Sequence, residues 1–592
     1  MKVNDKLASL RKLMAEKGID AYIIPSSDPH LSEYLSDYWK TRMWISGFTG
    51  SAGTVVVTME GAGLWTDGRY FIQAENELKG SEIKLFKMRM PKVPTVIEWL
   101  RDNLDEDSTV GFDGKVVSQS LIEKMEKKFS TKNIKLEENY DFIGEIWTDR
   151  PKESKDKIFI HDVKYAGKAP KEKLEDVRKE MKESKVDYFL LGSLDDIAWL
   201  YNIRGRDVEN NPVVTSYALV SMAKSWLFVD KSKVDKEVEE YLNENGIEVK
   251  EYGDVRNNIE NINKDSKIFI DPDKTNRWIY NGIPKECEIV EGMNFTTKLK
   301  ARKNNVEIEN LKKCYIKDGV ALVKFLYWLD KNVGHKEITE ISADEKLESF
   351  RREQDLFVEP SFGTIAAYRE HAPMMHYSAT DETDYSLKPE GMFLVDSGGQ
   401  YYDGTTDTTR TIILGPITDE EKRDFTLTLK GLINLSKARF LHGATGANLD
   451  VLARLPLWEV GIDYKCGTGH GIGFFLNVHE GPNNFSQSPT KVVIEEGMVT
   501  SIEPGVYKEG RYGIRLENVV VAVKDYENES GQFMKFETLT NCPLDLEGID
   551  AGLLSEEEIK WLNNYHKQVY SNLSPYLNEE EKEWLKKETR GI

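Results

Sequence analysis

The segment FLVDSGGQYYDGTTDTTRTIIL, Phe393 to Leu414, holds three aspartates in a setting that decides how the C-terminal half of the chain folds. An apolar run ends at Asp396, and a β-branched run begins just after Asp407. The glycine-rich stretch between them suits a turn. The two runs are therefore expected to form a hairpin that sets the carboxylates of Asp396 and Asp407 side by side. A carboxylate at the end of a buried strand is costly unless it is paired or binds a cation. Asp403 lies in the turn itself and reads as an ordinary turn former.

Two further segments supply more candidate ligands. In CGTGHGIGFFLNVHEGP, Cys466 to Pro482, His470 sits among glycines that let the backbone approach closely, and His479 follows nine residues on. In VTSIEPGVYKEGRYGIRLENVVVAV, Val499 to Val523, Glu503 ends a strand just before Pro504. Glu517 is expected inside a strand, with Arg515 two residues earlier on the same face. A simple ion pair between them is the alternative reading for Glu517. Together these segments offer four carboxylates and one imidazole, the supply expected for two divalent ions sharing carboxylates. Oxygen-rich ligands with one nitrogen favour Mn²⁺, with Zn²⁺, Co²⁺ or Fe²⁺ as competitors. Two such ions, roughly 3.5–4 Å apart, can generate a bridging hydroxide at neutral pH and polarise the group it attacks.

The N-terminal half carries an internal duplication. KLASLRKLMAEKGIDAYIIPSSD starts at Lys6 and KLEDVRKEMKESKVDYFLLGSLD at Lys173. Leu7 aligns with Leu174, Arg11 with Arg178, Met14 with Met181 and Asp20 with Asp187. Each copy reads as an amphipathic helix running into an apolar strand. The expected organisation is an α/β domain over 1–152, its duplicate over 153–303, and a third domain over 304–592 with a helical tail at 553–592. The linker between the first two is placed in IWTDRPKESKDK, Ile146 to Lys157, which carries a proline and a charge run.

The bulk properties narrow the function class. The chain has 592 residues, too many for one core. Its net charge of −21 argues against nucleic-acid binding, which needs a basic surface. No apolar run reaches the roughly 18 residues that span a bilayer. The N-terminus is a charged amphipathic segment rather than a signal peptide. The four cysteines form no CxxC pair, in keeping with a reducing compartment, and the cytoplasm is the expected location.

The Asp, Asp, His, Glu, Glu series resembles the metallopeptidases with the pita-bread fold, and most closely the long, three-domain Xaa-Pro aminopeptidases (aminopeptidase P). YIIPSSDPHLSEY, WISGFTGSAGT, LWTDGRYF, IWTDRP, LDDIAWLYNIRG, DSGGQYYDGTTDTTRT, EPGVY and GIRLENVV carry the resemblance across nearly the whole chain. It implies two creatinase-N-terminal-like α/β domains followed by a pita-bread catalytic domain, in an α/β (α+β) fold overall. It implies that Asp396, Asp407, His470, Glu503 and Glu517 ligate two metal ions, with Asp407 and Glu517 bridging. His376, in HAPMMHYS, matches the family's upstream active-site histidine and His479 the downstream one. Arg69, in WTDGRY, matches a peptide-contacting arginine. Arg515 matches the arginine that orients the bridging glutamate from behind. Arg69, His376, His470, His479 and Glu503 are the implied substrate contacts, with Glu503, His376 and His479 as the catalytic groups. Many relatives carry histidine where this chain has Cys466.

The activity so implied is hydrolysis of the N-terminal Xaa-Pro bond of peptides, with Glu503 handling the proton and the two histidines stabilising the oxyanion. The choice of proline rests on the resemblance alone. A prolidase would share the metal set, but such relatives are shorter and lack the duplicated pair. A peptide binder that had lost its metals would lack ligands that are all present here, and a creatinase-like amidinohydrolase would not use the metal set. A homodimer is also implied. Trp458 is read either as a dimer contact or as core packing.

Overall fold

The helix–strand pairs of the N-terminal half form twice, and the aligned residues do the same work in each copy. The computed structural model describes residues 1–592. Helix Val3–Lys17 buries Leu7, Leu10 and Met14, and helix Pro170–Glu183 buries Leu174, Val177 and Met181. Each helix closes with the same backbone bond, Ile19 N–H to Met14 O at 2.9 Å and Val186 N–H to Met181 O at 3.0 Å. Arg11 donates to Thr58 O at 2.8 Å and Arg178 to Ser221 O at 3.0 Å. The Asp20 carboxylate accepts Thr109 N–H at 2.7 Å, and Asp187 accepts Lys267 N–H at 2.8 Å. Arginine and aspartate recur because each stitches the helix–strand corner to its own sheet.

The two sheets agree in topology as well. Each has six strands in the spatial order 4-3-2-1-5-6, counted along its own copy. In both, strand 1 pairs antiparallel with strand 2 and parallel with strand 5, and strands 3 and 4 run parallel. The copies touch: the Tyr217 hydroxyl and Asn276 Nδ2 both donate to Pro29 O, at 3.0 and 2.6 Å. Both therefore fall in one compact unit, Met1–Val163 with Lys168–Lys298. The expected division at 152/153 falls between the two sheets.

The second unit comprises Lys164–Gly167 and Leu299–Ile592. Its first helix, Asn305–Asn332, starts at a capping box between Asn304 and Glu307. Strands Ile365–Tyr368, Met392–Ser397 and Thr408–Ile413 form one antiparallel sheet. A six-stranded antiparallel sheet runs from Arg439–Leu441 through Gly531–Thr538, Asn518–Asn528, Val499–Ile502 and Gly469–Gly471 to Glu480–Phe485. Phe425, Leu429 and Leu432 of helix Asp419–Ser436 pack on the inner face of this sheet beside Val520 and Ala522. The tail helices Glu556–Leu573 and Glu579–Glu588 bury Leu562, Val569 and Leu585 in the same core. No helix is long and apolar enough to cross a membrane.

Three local expectations are corrected. Glu517 does not lie inside a strand: it sits at the break between Tyr512–Arg515 and Asn518–Asn528, where the chain passes from a short hairpin into the large sheet. Asp403 is more than a turn former, since it is buried and bonded through both oxygens to Lys317 Nζ at 2.7 and 2.8 Å. Trp458 is not core, because it stands 42% exposed at the end of helix Gly446–Trp458.

Candidate metal centre

The antiparallel pairing of Met392–Ser397 with Thr408–Ile413 sets Asp396 opposite Thr409, and Asp407 immediately precedes the second strand. The intervening residues form a small ladder of their own between Gly399–Tyr401 and Gly404–Thr405. From the large sheet, His470 sits on strand Gly469–Gly471 and Glu503 directly follows Val499–Ile502. The approach is close: a side chain on Gly469 would place its Cβ 1.8 Å from Ser501 O, so only glycine fits there. Ser501 ties the two ligand-bearing strands, with its Oγ accepting His470 N–H at 3.0 Å and donating to Glu503 Oε1 at 3.2 Å.

These elements bring the five predicted ligands together. His470 Nε2 lies 3.4 Å from Asp407 Oδ2 and 3.3 Å from Glu503 Oε1. Ligand atoms of Asp407, His470 and Glu517 all lie within 4.8 Å of one another. Asp396 and Glu517 are connected through Thr409 and Arg515. Thr409 Oγ1 donates to Glu517 Oε2 at 2.8 Å and accepts Arg515 Nε at 3.2 Å, while Arg515 Nη2 donates to Asp396 Oδ2 at 2.6 Å. Arg515 therefore holds Asp396 directly and reaches Glu517 only through Thr409, which corrects the expectation that it faces the glutamate.

Electrostatics argue that these groups are built for cations. Burial, opposed by Arg515 and reinforced by Asp407 and Glu503, pushes Asp396 up to about 6. Burial and then Asp407, Asp396 and Glu503 push Glu517 well above the usual carboxylate range. At Glu503 burial is outweighed by His470 and Arg515, which hold it down to about 2. At His470 burial is outweighed by Asp407 and Glu503, which push it well up. The cluster is thus short of positive charge. Two observations show that the residues fit a metal. Asp396 Oδ1 is buried and has no hydrogen-bond partner. His470 Nδ1 lies 2.9 Å from Gly471 O, a bond that places the proton on Nδ1 and frees Nε2 as a ligand atom towards the carboxylates. Oxygen donors with one imidazole suit divalent ions of the Mn²⁺ to Zn²⁺ range.

The remaining candidates stand around or apart from this cluster. The ring of His479 packs 4.1 Å from that of His470, centroid to centroid, at 67°. His376 is half-buried and follows Met375, whose carbonyl accepts Arg515 Nη2 at 3.3 Å. Cys466 is half-buried, and its carbonyl accepts Arg454 Nη2 at 2.7 Å. Arg69 belongs to the other unit, where Asp67 grips it through two bonds of 2.9 Å. Residue type alone gives no sign of Thr409 and Ser501, whose hydroxyls bond Glu517 and Glu503. In a strand, threonine and serine look like ordinary propensity choices. The signal was available in spacing, since Thr409 lies two residues beyond Asp407 and Ser501 two before Glu503.

Thr409→Val keeps the shape of the strand and removes the hydroxyl shared by Arg515 and Glu517. It is expected to weaken divalent-cation binding about 10–100-fold, as loss of a ligand-orienting partner does. Calorimetric titration of chelator-stripped protein measures this, and an unchanged affinity would show that Thr409 orients nothing. In the same titration the wild type should bind more weakly at pH 5 than at pH 7. Below about 6 Asp396 holds a proton that the cation must displace. Equal affinities would contradict this picture of the ligand.

Comparison with known proteins agrees with this geometry. The model for metallopeptidase family M24 matches residues 309–524, and that for its C-terminal region 532–592. Models of the creatinase/prolidase N-terminal domain match 6–142 and 149–307, one on each duplicated sheet. Aminopeptidase P1 of Arabidopsis thaliana is 38% identical over 646 residues, covering 100% of this chain and 99% of the relative. Xaa-Pro aminopeptidase 1 of Dictyostelium discoideum is 39% identical, covering 100% and 97%. Among solved structures, the X-prolyl aminopeptidase of Caenorhabditis elegans, described as a cytosolic enzyme with a di-nuclear active site, superposes with a TM-score of 0.96. It is 36% identical and covered along 100% of both chains. The chain belongs to the aminopeptidase P family of M24 metallopeptidases, in its long form with two creatinase-type N-terminal domains.

Proposed function

We propose that this chain is a two-metal aminopeptidase that releases the first residue of peptides with proline at the second position. The observation that carries the reading is the convergence of buried Asp396, Asp407 and Glu517 with half-buried His470 and Glu503, with Asp396 Oδ1 left without a protein partner. Full-length similarity to an X-prolyl aminopeptidase with a di-nuclear site supports it. Asp396, Asp407, His470, Glu503 and Glu517 would hold two divalent ions, Mn²⁺ being the expected native metal. Such a pair supplies an activated water and a Lewis acid for the scissile carbonyl.

The protein's own residues do the rest. Glu503, half-buried with its Oε1 3.3 Å from His470 Nε2, is assigned to take the attacking water's proton and pass it to the leaving nitrogen. In an Xaa-Pro bond that nitrogen is part of a ring and carries no N–H to offer as a donor, and like any amide nitrogen it must receive a proton to leave. His376 and His479 are assigned to the oxyanion, where preorganised donors act most strongly. His470, packed against His479, borders the same space as a substrate contact. Arg69, held by Asp67, is assigned as a peptide contact on the resemblance alone. The chain is assigned to the cytoplasm and to a homodimer. The exposed apolar face of helix Gly446–Trp458 favours the dimer: Val451, Leu455 and Trp458 recur at helical spacing and are 39%, 47% and 42% exposed.

Chelator-stripped protein should release free arginine from Arg-Pro-Pro only after a divalent ion is added. No release with any divalent ion, from folded protein, would remove the aminopeptidase reading. Glu503→Gln should lower kcat by about 10²–10⁴-fold. Full activity in that variant would strip Glu503 of its role. His376→Ala and His479→Ala should mainly lower kcat, and a wild-type kcat in either would make that histidine a bystander. Trp458→Glu should sediment as a monomer, whereas an unchanged dimer would place the contact elsewhere.

A further inference from the structure

His376 lies on the segment from Tyr368 to Tyr385, and one buried carboxylate holds that segment at four points. Glu340 opens helix Glu340–Arg352 and is fully buried. Its Oε1 accepts Tyr368 N–H at 2.7 Å and the His371 ring nitrogen Nδ1 at 2.9 Å. Its Oε2 accepts the Tyr377 hydroxyl at 3.0 Å and Tyr385 N–H at 3.1 Å. The His371 ring packs against both Tyr377 and Tyr385, with centroids 4.4 and 3.9 Å away. A carboxylate that accepts this many bonds is strongly fixed and fixes its donors in turn.

The carboxylate is not needed by its own helix. Thr339 already caps it, accepting Ser342 N–H at 3.2 Å. Glu340 instead turns to the neighbouring segment. On the other side of His376, Met375 O accepts Arg515 Nη2, the same nitrogen that holds Asp396. Strand Tyr512–Arg515 also lies close against this segment, since a Cβ on Gly513 would fall 2.2 Å from Ala372 O. His376 is thus flanked by Met375, tied to the ligand cluster, and by Tyr377, tied to Glu340.

We propose that Glu340 is a positioning residue for His376, acting through Tyr377 and His371 to hold the segment at the depth where the His376 ring meets the substrate. The proposal rests on the assignment of His376 to the oxyanion. Glu340→Gln keeps the volume but must turn its amide nitrogen towards either Tyr368 N–H or Tyr385 N–H. The N–H so faced loses its acceptor, and the segment must shift to recover one. A displacement of about 1 Å at a group in contact with the reacting atoms costs up to about 100-fold in rate.

The test is a double-mutant cycle on the metal-loaded full-length protein with Arg-Pro-Pro as substrate. Glu340→Gln is expected to lower kcat about 10–100-fold with KM nearly unchanged. Bound metal should equal that of the wild type. His376→Ala should lower kcat at least as far, and the double variant should be no slower than His376→Ala alone. A wild-type kcat in Glu340→Gln, or losses that multiply in the double variant, would overturn the proposal while leaving the His376 assignment intact. A wild-type kcat in His376→Ala would instead overturn that assignment and the proposal with it. If Glu340→Gln fails to fold, Tyr377→Phe carries the same cycle by deleting one hydroxyl. A smaller kcat loss that vanishes in the His376→Ala background is then expected, and no loss at all would overturn the proposal.

Discussion

Four carboxylates share a buried space with one imidazole and one arginine, and the catalytic unit is organised around that imbalance of charge. Asp396 and Asp407 come from one sheet, Glu503 and Glu517 from the ends of strands in and beside another, and all four act on one another across the cluster. Arg515 neutralises part of the negative charge and is fully enclosed by its partners Asp396, Thr409, Tyr507 and Met375. The rest is left for cations. A cluster of this kind has little to recommend it as a structural device, because buried charges that lack partners destabilise the fold that carries them. Its presence in the interior of the unit is intelligible as ligand chemistry.

The scaffolding around the cluster follows from the same demand for exact placement. Backbones approach so closely that only glycine fits at Gly469, and hydroxyls of Thr409 and Ser501 fill the gaps between ligands with directional bonds. Farther out, several buried charges are paired with opposite ones. Arg351 is paired with Asp318 and also bonds Ser397, the residue after Asp396. Glu480, the residue after His479, is clasped by Lys300 and Lys303. Asp450 receives Arg454 and the Thr468 hydroxyl beneath the strand that carries His470. Asp396, His479 and His470 thus each have a neighbour in sequence held by a buried charge, and such ties limit motion at reacting atoms.

Much of this was legible in the amino-acid order, and the parts that were not share a cause. The hairpin of Asp396 and Asp407 announced itself through apolar runs broken by glycines. The duplication was visible because Arg11 with Arg178 and Asp20 with Asp187 perform identical backbone bonding, so the pattern carried physics as well as periodicity. Glu517 was misplaced because NVVVAV continues the β-branched signal of the hairpin before it, and the crossing between sheets leaves no mark in residue type. Arg515 was aimed at the wrong carboxylate because alternation along a strand says which face a side chain takes, not which neighbour across the sheet it meets. Glu340 stood unnoticed as an acidic residue in the first turn of a helix, a common and unremarkable place. Contacts between segments distant in sequence decide all three cases.

Catalysis of the proposed kind requires that the cluster hold two ions. Counting divalent ions per chain by elemental analysis, after loading with Mn²⁺ and exhaustive dialysis, addresses it directly. Two ions per chain for the wild type, with fewer in Asp407→Asn and Glu517→Gln, is the predicted result. One ion or none per wild-type chain, in protein that is folded, would contradict it.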